Sequence, residues 1–361
     1  MNSAGISSRG PRRTGAKIGL IGAASLLALA LVACGSDDTS TSASSSSASS
    51  TSVSAPAATG QFPVTVSGKF GESTIAAAPT RALPLSPQDA DILLSLGVTP
   101  IALPVDAQNL AATDQTGVWP WEKDALNEVP PLLNMDGGAG AIAEKIATLE
   151  PDLIVSTGFW GLEQGQFDQL NPQAPVVHFD TKANGEPWQN STRKIATALG
   201  IPEKAEEVIA AASAQLDAAK SAHPEFAGKT YNAVIGDLGG QLSVLASDER
   251  GIGQFLTSLG LTLSPYASTL TVDADGRGVL SYENIGELGA DVLVVVSPTG
   301  DLGYLTKFDA WNQLQAVRSG AVVSLARNTG LPNSVGFPSA LSLTWATDQV
   351  VPMIADRLSG K

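Results

Sequence analysis

The chain has 361 residues, 43% of them hydrophobic, with one cysteine, two histidines and a formal net charge of −14. That charge excludes a partner held by its phosphate backbone, which needs clustered positive side chains. A single cysteine excludes an internal disulfide and a cysteine metal cage, and the length allows two domains of ordinary size.

Residues 1–33 read as an export leader. Arg9, Arg12, Arg13 and Lys17 form a basic stretch, followed by an apolar run from Ile18 to Ala33 that falls short of the ~20 residues of a membrane span. The run ends in Leu31-Val32-Ala33-Cys34, which resembles the lipobox of bacterial lipoproteins. That resemblance implies cleavage before Cys34 and acylation of its thiol and new amino group. Ordinary secretory cleavage, leaving a free thiol, is the alternative. Arg12-Arg13 has flanks that fit a twin-arginine signal poorly, so the Sec and twin-arginine routes both stay open. The leader holds four of the 21 basic residues and none of the 35 acidic ones, so its removal takes the charge to −18. The segment 34–61 is almost entirely Ser, Thr, Ala and Asp and buries too little apolar surface to order; it reads as a flexible tether.

From 62 to 185 the pattern is that of an α/β lobe. "DILLSLGVTP", Asp91 to Pro100, is a helix ended by Gly97 and leading into a strand. "AEKIATLEPDLIVST", Ala143 to Thr157, is a helix stopped near Pro151 and followed by the apolar strand Asp152 to Ser156. Residues 186–223, rich in Ala, Glu, Lys, Leu and Gln, form a short helix running into a long one, a stiff connector. Strands restart at Lys229 to Asp237, opening a second lobe over 224–361. There "QFLTSLGLTL", Gln254 to Leu263, repeats the first helix–glycine–strand unit. "YENIGELGADVLVVV", Tyr282 to Val296, repeats the second, with Glu144/Glu283, Ile146/Ile285, Leu149/Leu288 and Asp152/Asp291 in register. Gly97 and Glu144 lie twice as far apart as Gly260 and Glu283, so the first lobe carries an extra loop. Two tandem α/β lobes account for the echo, each with a sheet covered by helices.

Taken together, the lipobox, "PTRALPLSPQDADILLSLGVTPIAL", "AEKIATLEPDLIVST", the connector after "LGIPEKA" and "WNQLQAVRSGAVVSL" resemble the helical-backbone class of periplasmic binding proteins. These are the substrate-binding lipoproteins of ABC importers for ferric siderophores, haem and cobalamin. The resemblance runs from about Val64 to the C-terminus. It implies a class III fold, two Rossmann-like lobes joined by a long backbone helix, in a monomer anchored by lipid to the outer face of the cell membrane. It also implies that Glu144 and Glu283 dock into basic pockets on the two permease subunits. Paired carboxylates on matching lobes would give register more than affinity. Without the resemblance, each is a solvated carboxylate near a helix N-terminus.

A ligand in such a protein belongs in the crevice at the C-terminal ends of the strands. The aromatic and basic residues that follow strand-like runs are therefore the candidates: Trp119 and Trp121 in the extra loop, Trp160 beside Phe159, and in the second lobe Arg250, Tyr304 and Arg327. Rings would stack on a flat ligand and guanidinium groups would meet anionic oxygens. Trp119 and Trp121 either do this or pin their own loop. Trp311 and Trp345 read as core, Arg318 as a turn residue, and Arg81 as the head of a strand held by an ion pair. With His178 inside a strand-like run and His223 before Pro224, no transition-metal cage is expected. A ferric siderophore supplies its own iron ligands, so no cofactor is expected either. An acidic body must draw an anionic chelate in through a locally positive cleft, a difficulty that haem, cobalamin or a neutral chelate would avoid. The chain has no Gly-x-Ser-x-Gly elbow, phosphate loop or His-Glu-x-x-His. A siderophore-processing enzyme and a non-transport envelope lipoprotein are thus the lesser alternatives.

Overall fold

A computed structural model describes residues 58–136, 139–273 and 275–360; the leader, Cys34 and the tether up to residue 57 lie outside them. In the first lobe the apolar runs Ala82–Pro84, Leu153–Ser156 and Val176–His178 pair in parallel, with Leu153–Ser156 in the middle. Every residue of the three is buried, as expected of parallel strands covered on both faces. A parallel pair, Leu103–Val105 with Leu132–Asn134, and an antiparallel hairpin, Val64–Gly68 with Gly71–Ile75, flank this sheet.

The second lobe has a six-stranded sheet. Val292–Ser297 lies between Thr230–Asp237 and Val322–Ala326, parallel to both. Gln241–Leu245 extends it antiparallel beside Thr230–Asp237, Arg277–Ser281 forms the antiparallel edge beyond, and Thr262–Leu263 also pairs with the head of Thr230–Asp237. All six residues of Val292–Ser297 are buried. Each of its valines contributes roughly 1.5–3 kcal/mol of transfer free energy.

The two copies of the echoed segment thus end in the central strands of two different sheets. Their shared aspartates do the same job in each. Asp152 accepts from the Thr80 N–H and hydroxyl at 2.8 and 2.9 Å, and Asp291 accepts from the Thr230 N–H and hydroxyl, both at 2.8 Å. Each carboxylate thereby ties the start of its own strand to the start of the neighbouring one. The helices differ, however. The first copy is the α-helix Ala139–Thr148, whereas the second is the short 3-10 helix Tyr282–Glu287, not the expected α-helix. The edge strand runs up to Ser281, and Gly286 inside the segment disfavours α-helix, so only two tight turns fit.

Between the sheets run Trp188–Ala198 and the 21-residue helix Pro202–Ala222, about 32 Å long at 1.5 Å per residue. Gly200, at φ +73°, ends the first, and Pro202 opens the second, where its missing N–H costs nothing. The C-terminal helix Ala340–Leu358 packs along the long helix. One continuous core joins Leu153 and Val155 of the first sheet, Ala205 and Ile209 of the connector, Val292 and Val294 of the second sheet, and Leu343, Val350 and Ile354 of the C-terminal helix. The outer face of each lobe has a smaller cluster of its own.

Trp311 is buried in the second-lobe cluster, as expected. Arg81 makes a different contact from the ion pair expected of it. Its guanidinium donates to the carbonyls of Leu149 and Glu150 at 2.6 and 2.9 Å, satisfying the C-terminus of the Ala139–Thr148 helix. His178 is stacked on Phe70, and its Nε2 accepts from the Phe70 N–H at 3.0 Å. Burial holds this imidazole below its ordinary range, hence neutral. Among the described residues, no helix is long and apolar enough to cross a membrane.

Candidate ligand-binding cleft

A cavity of about 940 Å³ opens where strands of both lobes end. Leu85 and Ser86 follow one strand of the first sheet, and Gly158, Phe159 and Trp160 follow another. From the second lobe come Pro298 after Val292–Ser297, and Arg327 and Asn328 after Val322–Ala326. The C-terminal ends of parallel strands converge here, as the rule for α/β crevices requires. A smaller cavity of about 170 Å³ continues it, sharing Trp160, Asn184 and Arg327 and adding Arg250, Arg277 and Asp275.

Of the six residues singled out in the sequence, five border these cavities. Trp119, Trp121, Trp160 and Arg327 line the larger, and Arg250 lines the smaller. Tyr304 lines neither. It packs among the apolar residues around Trp311, and its hydroxyl is buried without a hydrogen-bond partner. Trp160 is 53% exposed and offers the cleft a free ring.

Trp119 and Trp121 both border the cleft and hold the extra loop. They are 2% and 8% exposed and stack at 5.1 Å between centroids, 7° from parallel. Trp345 leans on Trp121 at 5.3 Å, so it is half-buried in this stack instead of central to the core. On the second lobe the pair meets Gly330, whose φ of +78° brings backbone close to both rings.

Behind the stack lie two carboxyl groups with no signal in the sequence. Asp91, on the helix Pro87–Ser95, accepts from Trp121 Nε1–H with both oxygens, at 2.9 Å each. Ser339, which caps the C-terminal helix, donates its hydroxyl to Asp91 Oδ2 at 3.1 Å from the opposite lobe. Glu122 accepts from the Trp119 N–H at 2.7 Å and hydrogen-bonds to Asp91. Burial pushes Asp91 up to about 7, and burial together with the Asp91 charge pushes Glu122 well up as well. Asp89, two residues before Asp91, ties the cleft loop by accepting from the Ser86 hydroxyl, the Thr157 N–H and hydroxyl, and the Gly158 N–H.

The opposite wall is basic. Arg327 donates to the Ile235 carbonyl at 3.0 Å, and burial and the neighbouring Arg277 depress its guanidinium. Arg250 stands just before the helix Gly251–Ser258, as its sequence position suggested, and donates to the Asn184 carbonyl of the first lobe at 3.3 Å. Arg277 was not legible as a site residue, because "DADGRG" reads as a surface turn. The carboxylate at this end, Asp275, is paired with Lys182 across the lobes at 3.3 Å. Among the described residues, no group of His, Cys, Asp and Glu is placed to hold a metal ion.

Residues 85–329 match the protein family described as periplasmic binding protein. The chain belongs to that family. Among relatives of this periplasmic binding protein, the probable siderophore-binding lipoprotein YfiY of Bacillus subtilis is 26% identical over 273 residues, covering 71% of this chain and 78% of YfiY. A periplasmic solute binding protein from Mycobacterium smegmatis superposes with a TM-score of 0.67 at 30% identity, covering 82% of this chain and 98% of the other. PiaA of Streptococcus pneumoniae, solved in complex with ferrichrome, superposes with a TM-score of 0.69 at 21% identity, covering 82% and 99%. At that identity the likeness to PiaA is one of fold. The class III architecture read from the sequence, two α/β lobes on a helical backbone, is therefore the fold of this periplasmic binding protein.

Proposed function

We propose that this periplasmic binding protein is the substrate-binding lipoprotein of an ABC importer, capturing a ferric siderophore between its lobes and releasing it unaltered. The observation that carries this reading is the composition of the cleft. Arg327 lines the 940 Å³ cavity together with Trp119, Trp121 and Trp160, and Arg250 and Arg277 join it in the 170 Å³ cavity that continues the cleft. Among the described residues lining the smaller cavity the one carboxylate is Asp275, already paired with Lys182, while Asp106 and Asp136 line the larger cavity beyond it. A local excess of positive charge in a partly buried site favours anionic oxygens, and draws them in against the acidity of the whole body. The depressed Arg327 guanidinium favours the same ligand, since an anion would relieve the repulsion from Arg277. Iron arrives inside its chelate, so no protein ligand for it is needed. The names and bound ligand of the relatives point the same way.

Glu144 and Glu283, both exposed, serve in this reading as the contacts to two permease subunits. Cys34 carries the lipid that holds the protein at the outer face of the membrane, and the chain joins the body at Thr59 and Gly60, whose N–H groups both donate to the Gly200 carbonyl at 2.8 Å.

The test uses the body without its tether. Tryptophan emission is followed during titration with ferrichrome, ferrioxamine B, a ferric catecholate, haem and cobalamin. Saturable quenching by a ferric siderophore, recovered intact, is the expected result. If haem or cobalamin alone saturates, the ligand changes within the same class. No saturable response to any of them overturns the reading, and recovery of a cleaved ligand makes the protein an enzyme.

A further inference from the structure

The contact between Asp91 and Glu122 is not explained by capture of a ligand. Both side chains are almost fully buried, at 2% and 1% exposure, and they hydrogen-bond to each other. Two carboxylates in contact cannot both be ionised in a dry site; one proton between them removes the repulsion and supplies the bond. The other donors to the pair are the Trp121 and Ser339 side chains and the Trp119 N–H, all uncharged. None of the ion pairs in the described residues involves either group.

The place of the pair matters as much as its charge. Asp91 grips Trp121 of the extra loop and Ser339 of the opposite lobe, while Glu122 grips the backbone of Trp119. Gln88, one turn before Asp91, adds a second tie across the lobes by donating to the Pro338 carbonyl at 2.7 Å. The two carboxyls therefore sit where the first lobe, the second lobe and the indole wall meet. We infer that Asp91 and Glu122 act as one proton-sharing unit that positions the Trp119–Trp121 wall across the lobe junction, and that loss of the shared proton loosens that wall.

The surrounding charges do not substitute for the proton. Asp89 on the same helix is occupied by its own donors. Asp106, after the strand Leu103–Val105, caps the next helix, and Arg327 across the cavity is fixed on Ile235. Asp348 on the C-terminal helix accepts from Gln215. Arg193 and Lys194, on the helix Trp188–Ala198, are paired with Glu206 and Asp180. Lys123 and Asp124, next to Glu122, are exposed. In this arrangement the dianion lacks a compensating cation and repels itself against the indole stack. Its effect on ligand capture rests on the function proposed above, but the device itself does not.

The experiment therefore uses the full-length protein without ligand. Tryptophan emission and near-ultraviolet ellipticity are recorded from about pH 5 to about pH 9, a range that brackets a buried carboxyl whose ionisation is disfavoured. The wild type is expected to show one reversible step in both signals, at constant secondary structure. In Glu122→Gln the amide still donates to Asp91 but cannot ionise, and the step is expected to vanish. A wild type without a step, or a Glu122→Gln protein that keeps it, overturns the inference. Should the variant fail to fold, infrared difference spectra of the wild type decide. A protonated carboxyl band at neutral pH that disappears with the optical step supports the shared proton, and its absence refutes it. A blank result with every siderophore would leave this step untouched, so the two readings fail separately.

Discussion

Replacing Gly330 by alanine tests the packing of the tryptophan pair against the second lobe. An alanine Cβ at this position would lie 3.1 and 3.2 Å from two ring atoms of Trp119 and 3.3 Å from one of Trp121. Neither ring can withdraw, because each is stacked on the other and Trp121 is tied to Asp91. The backbone contributes a second cost: at φ +78° any residue but glycine loses about 1 kcal/mol. Overpacking adds about 1–3 kcal/mol, for a total of about 2–4 kcal/mol. Gly320 supplies the control, since its φ of +77° is nearly the same and no atom lies within 4 Å of its would-be Cβ. Gly320→Ala should therefore cost only the backbone share, about 1 kcal/mol. Thermal unfolding of the two variants reads the difference, at about 2–4 °C per kcal/mol for a large domain. Equal losses in both would show that the indole rings do not bear on Gly330, and the account of the lobe junction would fail.

Further outcomes follow from other contacts. Asp152→Ala and Asp291→Ala each remove the acceptor for a threonine N–H and hydroxyl, so each should cost about 1–3 kcal/mol in urea unfolding at unchanged slope. A silent variant in one lobe would break their equivalence. The neutral, buried His178 binds its proton less readily in the folded chain than in the unfolded one, whose value is 6.5. Its contribution is therefore complete above that value and is lost as pH falls through it, by up to about 1.4 kcal/mol per pH unit. The difference between wild type and His178→Gln across this range isolates the effect, because the raised carboxyls at Asp91 and Glu122 pull the opposite way. Arg277→Ala should weaken an anionic ferric chelate about tenfold or more in the fluorescence titration while leaving a neutral chelate unchanged. The double variant Glu144→Ala, Glu283→Ala should bind normally yet abolish uptake by cells, and normal uptake would end the docking assignment.

What the sequence disclosed was what neighbours along the chain decide. Val292 to Val296 is an unbroken apolar run, and a strand covered on both faces accepts one. Gly97 and Gly260 stand where a helix must turn left-handed, and the structure gives both a positive φ. The connector declared itself through its Ala, Glu and Lys content. The misread elements depended on distant partners. Tyr282–Glu287 carries the same letters as its twin, but the edge strand before it leaves no room for an α-helix. Tyr304 follows a strand end, yet the direction of the intervening loop decides whether it reaches the cleft. Asp91, Glu122 and Arg277 look like ordinary surface charges in the sequence, and only the tertiary fold sets Asp91 and Arg277 in the cavity walls and buries Glu122 behind them.

The unbroken core along the backbone helix has a consequence for the ancestry that the echoed segments suggest. Side chains from both sheets share one interior with Ala205 and Ile209, and the last helix of the chain closes against one near its beginning. Cutting the protein at the connector would strip each piece of the surface that completes it, so neither should fold when made by itself. Expressed together, the two fragments should find one another and rebuild the clamp.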